Sequence, residues 1–194
     1  MESECWEAPQ RASYETLAKR LASPATVHLA ATNGTNPRIV GYIGAVLHAE
    51  AGYTAGESWR HYAQLAEAAT APNPAASVCS LYIVTISIHS GAARGTGTEL
   101  VKALCELGRR NGLKFVRYGI RLPHLSHHVK NGVSPARYVE QLASGAVHED
   151  VYRLAIKSGG TPRSLIPDYY QDSASLNYGL LMEHFLQTTR DCDG

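Results

Sequence analysis

Hydrophobic positions are densest over Leu81 to Ile88, LYIVTISI, where seven of eight residues are apolar, β-branched or aromatic and no helical period is present. This run predicts a buried strand. Gly91 to Thr98 turn the chain, and apolar residues then return at helical spacing, with Leu100, Leu104 and Leu107 on one face and Val101 and Cys105 beside them. Arg109, Arg110 and Asn111-Gly112 supply the stop signals of that helix. Upstream, Ser13 caps a helix in which Tyr14, Leu17, Ala18 and Leu21 line one side before Pro24. Thr26 to Thr32 and Ile39 to His48 are strand-like runs joined by Asn33-Gly34-Thr35-Asn36-Pro37, an antiparallel hairpin. Gly41 and Gly44 weaken its second strand and leave room for a ligand or another backbone. Glu57 to Thr70 reads as a helix carrying Trp59, Tyr62, Ala63 and Ala66 on one face.

Beyond the central helix, Lys114 to Leu122 predicts a strand that Pro123 ends. Pro123 to Gly132 holds three histidines, His124, His127 and His128, and no element is assigned to it. Ser134-Pro135 opens a short helix with Tyr138, Val139 and Leu142 inward, ending near Gly145, and a second runs from Glu149 to Lys157 before Gly159-Gly160. Strand-like Arg163 to Ile166, an irregular IPDYYQDSAS segment and a last strand over Asn177 to His184 complete the pattern. Met1 to Pro9 has mixed charge and no period and is expected to be a loose end.

Composition narrows the function classes. With 194 residues, 44% hydrophobic, the chain has enough apolar material for one core, and we expect a single domain over 1–194. A net charge of +1 without long single-sign runs argues against nucleic-acid or membrane-surface binding. The four cysteines, Cys5, Cys79, Cys105 and Cys192, have no metal or redox spacing, and no secretory or membrane-spanning segment is visible, so a reducing, cytoplasmic setting is expected. The three clustered histidines lack a carboxylate or cysteine at ligand spacing, so no metal is expected.

The chemistry-bearing stretch is the turn. Arg94, Gly95, Thr96, Gly97 and Thr98 place two side-chain-free residues at the start of a helix, where consecutive backbone N–H groups converge on an anion at the positive helix end. A phosphate is the anion this geometry suits. The Lys-Ser/Thr of a P-loop is missing, and so is the third glycine of a dinucleotide fingerprint, since Thr98, Glu99 and Leu100 follow Gly97.

What these residues resemble is the acyl-thioester loop of the GNAT acetyltransferase superfamily, Arg/Gln-x-x-Gly-x-Gly/Ala between strand and helix. Arg94 and Gly97 match, and Glu99 departs from the last position. The order of elements resembles that fold over nearly the whole chain. Tyr138-Val139, Gly145, Ile166-Pro167-Asp168-Tyr169 and the Asp172 to Gly179 run are similar to GNAT-like acyltransferase domains of polyketide and natural-product assembly lines. The resemblance implies an α/β (α+β) domain with a mixed, mostly antiparallel sheet, splayed central strands and flanking helices. It further implies an N-acyltransferase that moves an acyl group from a pantetheine thioester to an amine of a small natural-product intermediate, with no tightly bound cofactor. The expected donor is acyl-phosphopantetheine on an acyl-carrier protein, preferred over acyl-CoA. By the same resemblance the pantetheine arm lies along Ile86 and Ile88, a backbone N–H near Ile88 polarises the carbonyl, and Arg94 to Thr98 hold the phosphate.

The proton-transfer groups stay open. Relatives carry a tyrosine where this chain has Ala155, so Tyr152 or Tyr178 would substitute, while Thr85 and His124 correspond to the threonine and histidine of the polyketide relatives. For Thr85 a satisfied buried hydroxyl, and for His124 an exposed loop residue, are the bland alternatives. Trp59 and His61 either pack or line an acceptor pocket. A covalent route through Cys79 or Cys105 has no adjacent base. Glu99 either completes a capping box with Thr96 or disfavours the extra phosphates of CoA against a carrier protein, which would dock on Lys102, Arg109, Arg110 and Lys114. The rival activities are a malonyl-type decarboxylase and S-acyl loading enzyme, and a degenerate GNAT fold that only binds.

Overall fold

Six strands form one sheet in the order β1-β2-β3-β4-β6-β5. The computed structural model describes residues 11–34, 36–49, 53–68 and 78–186. In chain order the elements are α1 (Tyr14–Ala22), β1 (Thr26–Asn33), β2 (Asn36–Ala49), α2 (Trp59–Glu67), β3 (Val78–Ile88), α3 (Thr96–Arg110), β4 (Phe115–Arg121), α4 (Leu125–Lys130), α5 (Pro135–Ser144), α6 (Asp150–Lys157), β5 (Thr161–Ile166) and β6 (Gly179–Phe185). All neighbouring strands run antiparallel except β3 and β4, which the crossover helix α3 makes parallel. The mixed, mostly antiparallel sheet expected from the sequence is present. The expected loose end over Met1 to Pro9 lies outside the described residues, as does the end of the helix expected to reach Thr70.

Each face of the sheet has its own core. Leu100, Val101, Leu104 and Cys105 of α3, Leu125 of α4, Tyr138 and Leu142 of α5 and Ala155 of α6 pack with Leu81, Ile83, Val116, Tyr118 and Met182. On the other side Tyr62 and Ala66 of α2 meet Val46, Tyr82, Val84, Tyr169 and Leu181. Ser13 and Ser134 cap the helices expected to follow them, each accepting a backbone N–H from three residues on, and Pro135 opens α5; α2 starts at Trp59 rather than Glu57, capped in the same way by Ser58.

Two local expectations differ from the structure. Pro123 to Gly132 contains the helix α4, which the sequence pattern does not signal; fully buried Leu125 fixes it from the core, and Ser126 N–H is tied to the Ala174 carbonyl. In α1 the apolar side faces outward, with Tyr14 89% and Leu21 60% exposed, while Arg20 is buried. Arg20 turns inward because Glu67 of α2 accepts its Nη2 at 2.7 Å and the Trp59 ring lies 5.7 Å from its guanidinium. A one-turn local pattern carries no information about a partner 47 residues away.

Candidate functional site

β3 and β4 pair only over Ser80–Phe115, Leu81–Val116 and Tyr82–Arg117. Beyond that point β3 stays with β2 as far as Ile88, and β4 stays with β6 as far as Arg121, so the two central strands part company and leave a gap in the middle of the sheet. A bulge helps to open it. Gly44 pairs with Thr85 and Ala45 with Ile83, so Val84 is an extra residue on β3. The inserted residue reverses which side chains face which way: Leu81 and Ile83 pack with the α3 core before it, and Ile86 and Ile88 do so after it. The Val84 carbonyl accepts the Trp59 indole N–H at 2.8 Å.

The register also aims the backbone of β3. His89 N–H bonds to the Val40 carbonyl at 2.9 Å, which makes 42/87 and 44/85 the next hydrogen-bonded pairs toward the bulge. The N–H and C=O groups of residues 86 and 88 therefore face the parting side, toward the gap. An extended pantetheine arm needs such a strip of alternating amide groups.

The gap opens into a cavity of about 620 Å³ that runs from one face of the sheet to the other. Its α3 side is apolar, with Ile86, Ile88, Val101, Val151 and Leu154. Its α1–α2 side is polar and aromatic: Arg20, Glu67, Trp59, Tyr170, Arg121 and the hydroxyls of Ser13 and Thr16. Thr85, Tyr118 and Gly119 stand at the waist, on the two diverging strands. Thr85 is 9% exposed, and no described residue hydrogen-bonds its hydroxyl.

At the α3 end the helix begins on Gly95, whose φ of 96° is the left-handed conformation that glycine adopts without strain, and no side chain caps the helix. Thr96 N–H and Oγ1 are both turned to the Ala93 carbonyl, at 3.1 and 2.6 Å. The capping box expected between Thr96 and Glu99 is therefore not formed; Glu99 is 70% exposed and pairs with Lys102 at 3.0 Å instead. Gly97 is buried where a Cβ would stand 2.6 Å from Leu154 Cδ1, so α6 packs directly on the first turn of α3. Arg94 is exposed at the outer edge of the turn. The four docking cations expected from the sequence are partly offset, since Lys102 pairs with Glu99 and both Arg109 and Arg110 pair with Glu106.

The remaining candidates lie apart from the cavity. His124, 65% exposed at its side chain, places Nδ1 3.0 Å from the buried carboxylate of Glu149, which also accepts the Tyr138 hydroxyl at 2.7 Å. Its neighbour Pro123 lines the cavity; His124 does not. Tyr152 and Tyr178 pack against the α3-side core and do not line it either. Ala155 is fully buried, so nothing projects from the position where the resemblance places a tyrosine. His61 stands near Glu57 and leaves the wall to Trp59. Cys105 is buried and burial pushes its thiol up to about 12, which leaves it no nucleophilic thiolate; the Cys79 side chain is outside the described residues.

Sequence reasoning missed Arg20, Glu67, Arg121, Tyr169 and Tyr170. Tyr169 lies against Gly119 and Gly179, donates to the Gly119 carbonyl at 3.2 Å and receives the Tyr82 hydroxyl at 3.2 Å; complete burial pushes its own hydroxyl up to about 12. Burial likewise raises Tyr170. Asp172 holds the segment: although burial opposes ionisation, hydrogen bonds from Arg121 and Ser175 outweigh it and keep the carboxyl below its usual range. The signal was present as the Ile166-Pro167-Asp168-Tyr169 turn, but nothing in it says which cavity the ring closes.

Behind the waist, Tyr118 Oη and His184 Nε2 are 3.1 Å apart, and burial pushes the His184 imidazole down to about 4 from 6.5. The unfolded chain, with the ordinary imidazole, takes up the proton first as pH falls, so this contribution to stability is complete above pH 6.5 and is lost on the way down to 4. His28, also lowered by burial, acts in the same direction. We expect stability at pH 5 to fall by roughly 2 kcal/mol relative to pH 7.5 through this pair, and His184→Gln to remove most of the difference. Urea unfolding midpoints of both proteins at the two pH values measure it; an undiminished pH difference in the variant excludes His184 as the source.

No protein-family model matches the chain. Among curated proteins it is 31% identical over 105 residues to an uncharacterised N-acetyltransferase, YkwB, of Bacillus subtilis (strain 168); the match covers 54% of this chain and 46% of that protein, less than half of the relative's length. Solved structures share the whole architecture. The GphF GNAT-like decarboxylase in complex with isobutyryl-CoA superposes with a TM-score of 0.79 at 22% identity, covering 96% of this chain and 91% of that one. The loading GNATL domain of CurA from Lyngbya majuscula gives 0.73 at 16% identity over 96% and 89%. The ribosomal-protein-S18-alanine N-acetyltransferase of Escherichia coli gives 0.55 at 11% identity over 97% and 84%.

Proposed function

We propose that this GNAT-fold domain is an acyltransferase that threads the pantetheine arm of acyl-CoA, or of an acyl-carrier protein, between β3 and β4 and passes the acyl group to the amine of a small molecule on the α1–α2 side. The parting of β3 and β4 after three residue pairs carries this reading. It leaves amide edges for the arm, an apolar trough for the thioester and a separate polar chamber beyond it. We take the chain as one such domain, acting in the cytoplasm, where both kinds of donor occur; no helix of the described residues is long and apolar enough to cross a membrane.

In this reading the first turn of α3 holds the donor phosphate through backbone N–H groups beyond Thr96, helped by the helix end and by Arg94. Either donor suits the turn. Glu99 adds negative charge there, but Lys102 offsets it, and an exposed pair of this kind is worth at most about 1 kcal/mol, so neither donor is strongly preferred on this ground. A β3 amide at residue 86 polarises the thioester carbonyl. The amine attacks that carbon, the C–S bond breaks as the C–N bond forms, and the thiolate takes up the proton that the new amide gives up. Thr85, on β3 at the cavity wall, is the hydroxyl assigned to this exchange. Held by Glu149 outside the cavity, His124 acts at most at its mouth.

Thr85→Val is expected to lower turnover roughly 10²-fold while leaving acyl-CoA binding intact, and His124→Ala to lower it less. Calorimetric binding of a non-hydrolysable acyl-CoA, set beside thiol release, separates the two effects. Equal losses of binding and turnover in Thr85→Val would make the residue a packing group.

A second reading, decarboxylation of a malonyl-type thioester with transfer of the acyl group to a thiol, is favoured by one observation: the cavity's carboxylate, Glu67, is held by Arg20 and is poorly placed to take a proton from an incoming ammonium. Carbon dioxide release without amide formation identifies that reaction. A domain that binds acyl-CoA but turns over no donor would be a binding module.

A further inference from the structure

We infer that the α1–α2 end of the cavity is a carboxylate subsite built on Arg20, so that the acyl acceptor is an amino acid or another small amine that carries a carboxylate. This rests on the acyltransferase reading above and names its acceptor class.

Arg20 is 3% exposed yet lines the cavity, and a buried guanidinium has five N–H donors to satisfy. Its Nη2 reaches Glu67 at 2.7 Å, and its Nε has neither a partner nor accessible surface, so a cavity ligand would be met by the Nη edge of the guanidinium. Burying a charged group with an unmade hydrogen bond is costly, and a carboxylate on that edge would offset the cost. Thr16, one turn back on α1, and its N-cap Ser13, two turns back, stand on the same wall. Glu67 is the one carboxylate among the lining residues and is already held by Arg20, while Arg121 is paired with Asp172. A simple amine therefore finds no unengaged carboxylate there, while a zwitterion sets its carboxylate on Arg20 and directs its amino group toward the gap.

The position favours the acceptor over the donor as the source of the carboxylate. The phosphate turn lies on the α3 side, so the donor enters from that face and its acyl carbon reaches the waist. The Arg20 guanidinium lies 5.7 Å from the centre of the Trp59 ring, and that ring is tied by its N–H to the Val84 bulge at 2.8 Å. The indole thus touches both Arg20 and the bulge, on the face of the sheet opposite α3. Trp59, Tyr169 and Tyr170 give the chamber flat apolar walls, which suit an aromatic side chain on the acceptor.

The test uses the full chain, acetyl-CoA and malonyl-CoA as donors, and pairs of acceptors that differ only in the carboxylate, such as phenylalanine and phenethylamine. Thiol release and amide formation are both followed. The wild type is expected to use the amino acid roughly 10- to 100-fold better by specificity constant, the range for leaving a buried charged group unsatisfied, and Arg20→Lys is expected to raise the acceptor KM and bring the ratio near one. Equal use of both acceptors by the wild type overturns the subsite, as does a preference that survives in Arg20→Lys or in Arg20→Met. Thiol release restricted to malonyl-CoA and independent of any amine also overturns it, because the carboxylate then belongs to the acyl group. Because the wild-type ratio needs no variant, poor folding of either substitution leaves the test intact. Absence of thiol release with every donor and acceptor is a failure of the acyltransferase reading itself and is told apart by that.

Discussion

Gly119→Ala is expected to destabilise the protein by about 3–5 kcal/mol, the range for losing a large buried side chain from its place. A Cβ at this position would lie 2.2 Å from Tyr169 Cζ and 2.6 Å from its Cε2 and hydroxyl. Nothing flexible can yield, since the Tyr169 ring also covers Gly179, where an added Cβ would stand 2.4 Å from the same ring. The ring must therefore leave its site. That breaks its bonds to the Gly119 carbonyl and the Tyr82 hydroxyl and uncovers the stack of Tyr82 on Tyr62, whose ring centres are 3.4 Å apart. Denaturant unfolding measures the loss, and Gly56→Ala, at a position with nothing within 4 Å, is the control expected to change little. A cost below about 1 kcal/mol for Gly119→Ala would mean that Tyr169 does not close the cavity floor.

Gly97→Asp is expected to cost the enzyme roughly 10³-fold in specificity constant for acyl-CoA, equivalent to two charge-assisted hydrogen bonds to the donor phosphate. The substitution puts a carboxylate among N–H groups that would otherwise face that anion, and charge of the wrong sign removes what the helix end contributes. Sterics add to it, because the new Cβ meets Leu154 Cδ1 at 2.6 Å. The contact is with the far end of a side chain, so Gly97→Ala separates the two causes: it carries the contact without the charge. We expect Ala to lose much less than Asp while both keep the wild-type circular dichroism. Equal losses would reduce Gly97 to a packing position between α3 and α6.

Most of the strands and helices are legible in the local pattern of polar and apolar residues. LYIVTISI has one reading as a buried strand, and Leu100, Leu104 and Leu107 one reading as a buried helical face; the strand holds, as do Leu100 and Leu104, while Leu107 is half-buried. The glycine turn between them is legible for the same reason, since backbone conformation and helix entry are set within a few residues. Side chains whose partners lie far along the chain are not. Thr96 and Glu99 spell a capping box, yet Thr96 turns back to Ala93 and Glu99 forward to Lys102, because Gly95 in the left-handed conformation starts the helix without a side-chain cap. Tyr14 and Leu21 mark an apolar side of α1 that faces outward, since Glu67 and Trp59 draw Arg20 in from the other side.

By itself, then, the sequence determined what depends on neighbours in the chain: the order of the elements other than α4, and the glycine turn that leads from β3 into α3. Tertiary structure alone decided where the cavity is and what lines it. The extra residue at Val84 exists only against the register of β2, the gap only because β4 follows β6 rather than β3, and the chamber only because α1, α2 and the Tyr169 segment meet there from three distant parts of the chain. Strand register and helix docking are fixed by burial and hydrogen bonding summed over the whole sheet, and no local pattern of polar and apolar residues encodes that sum.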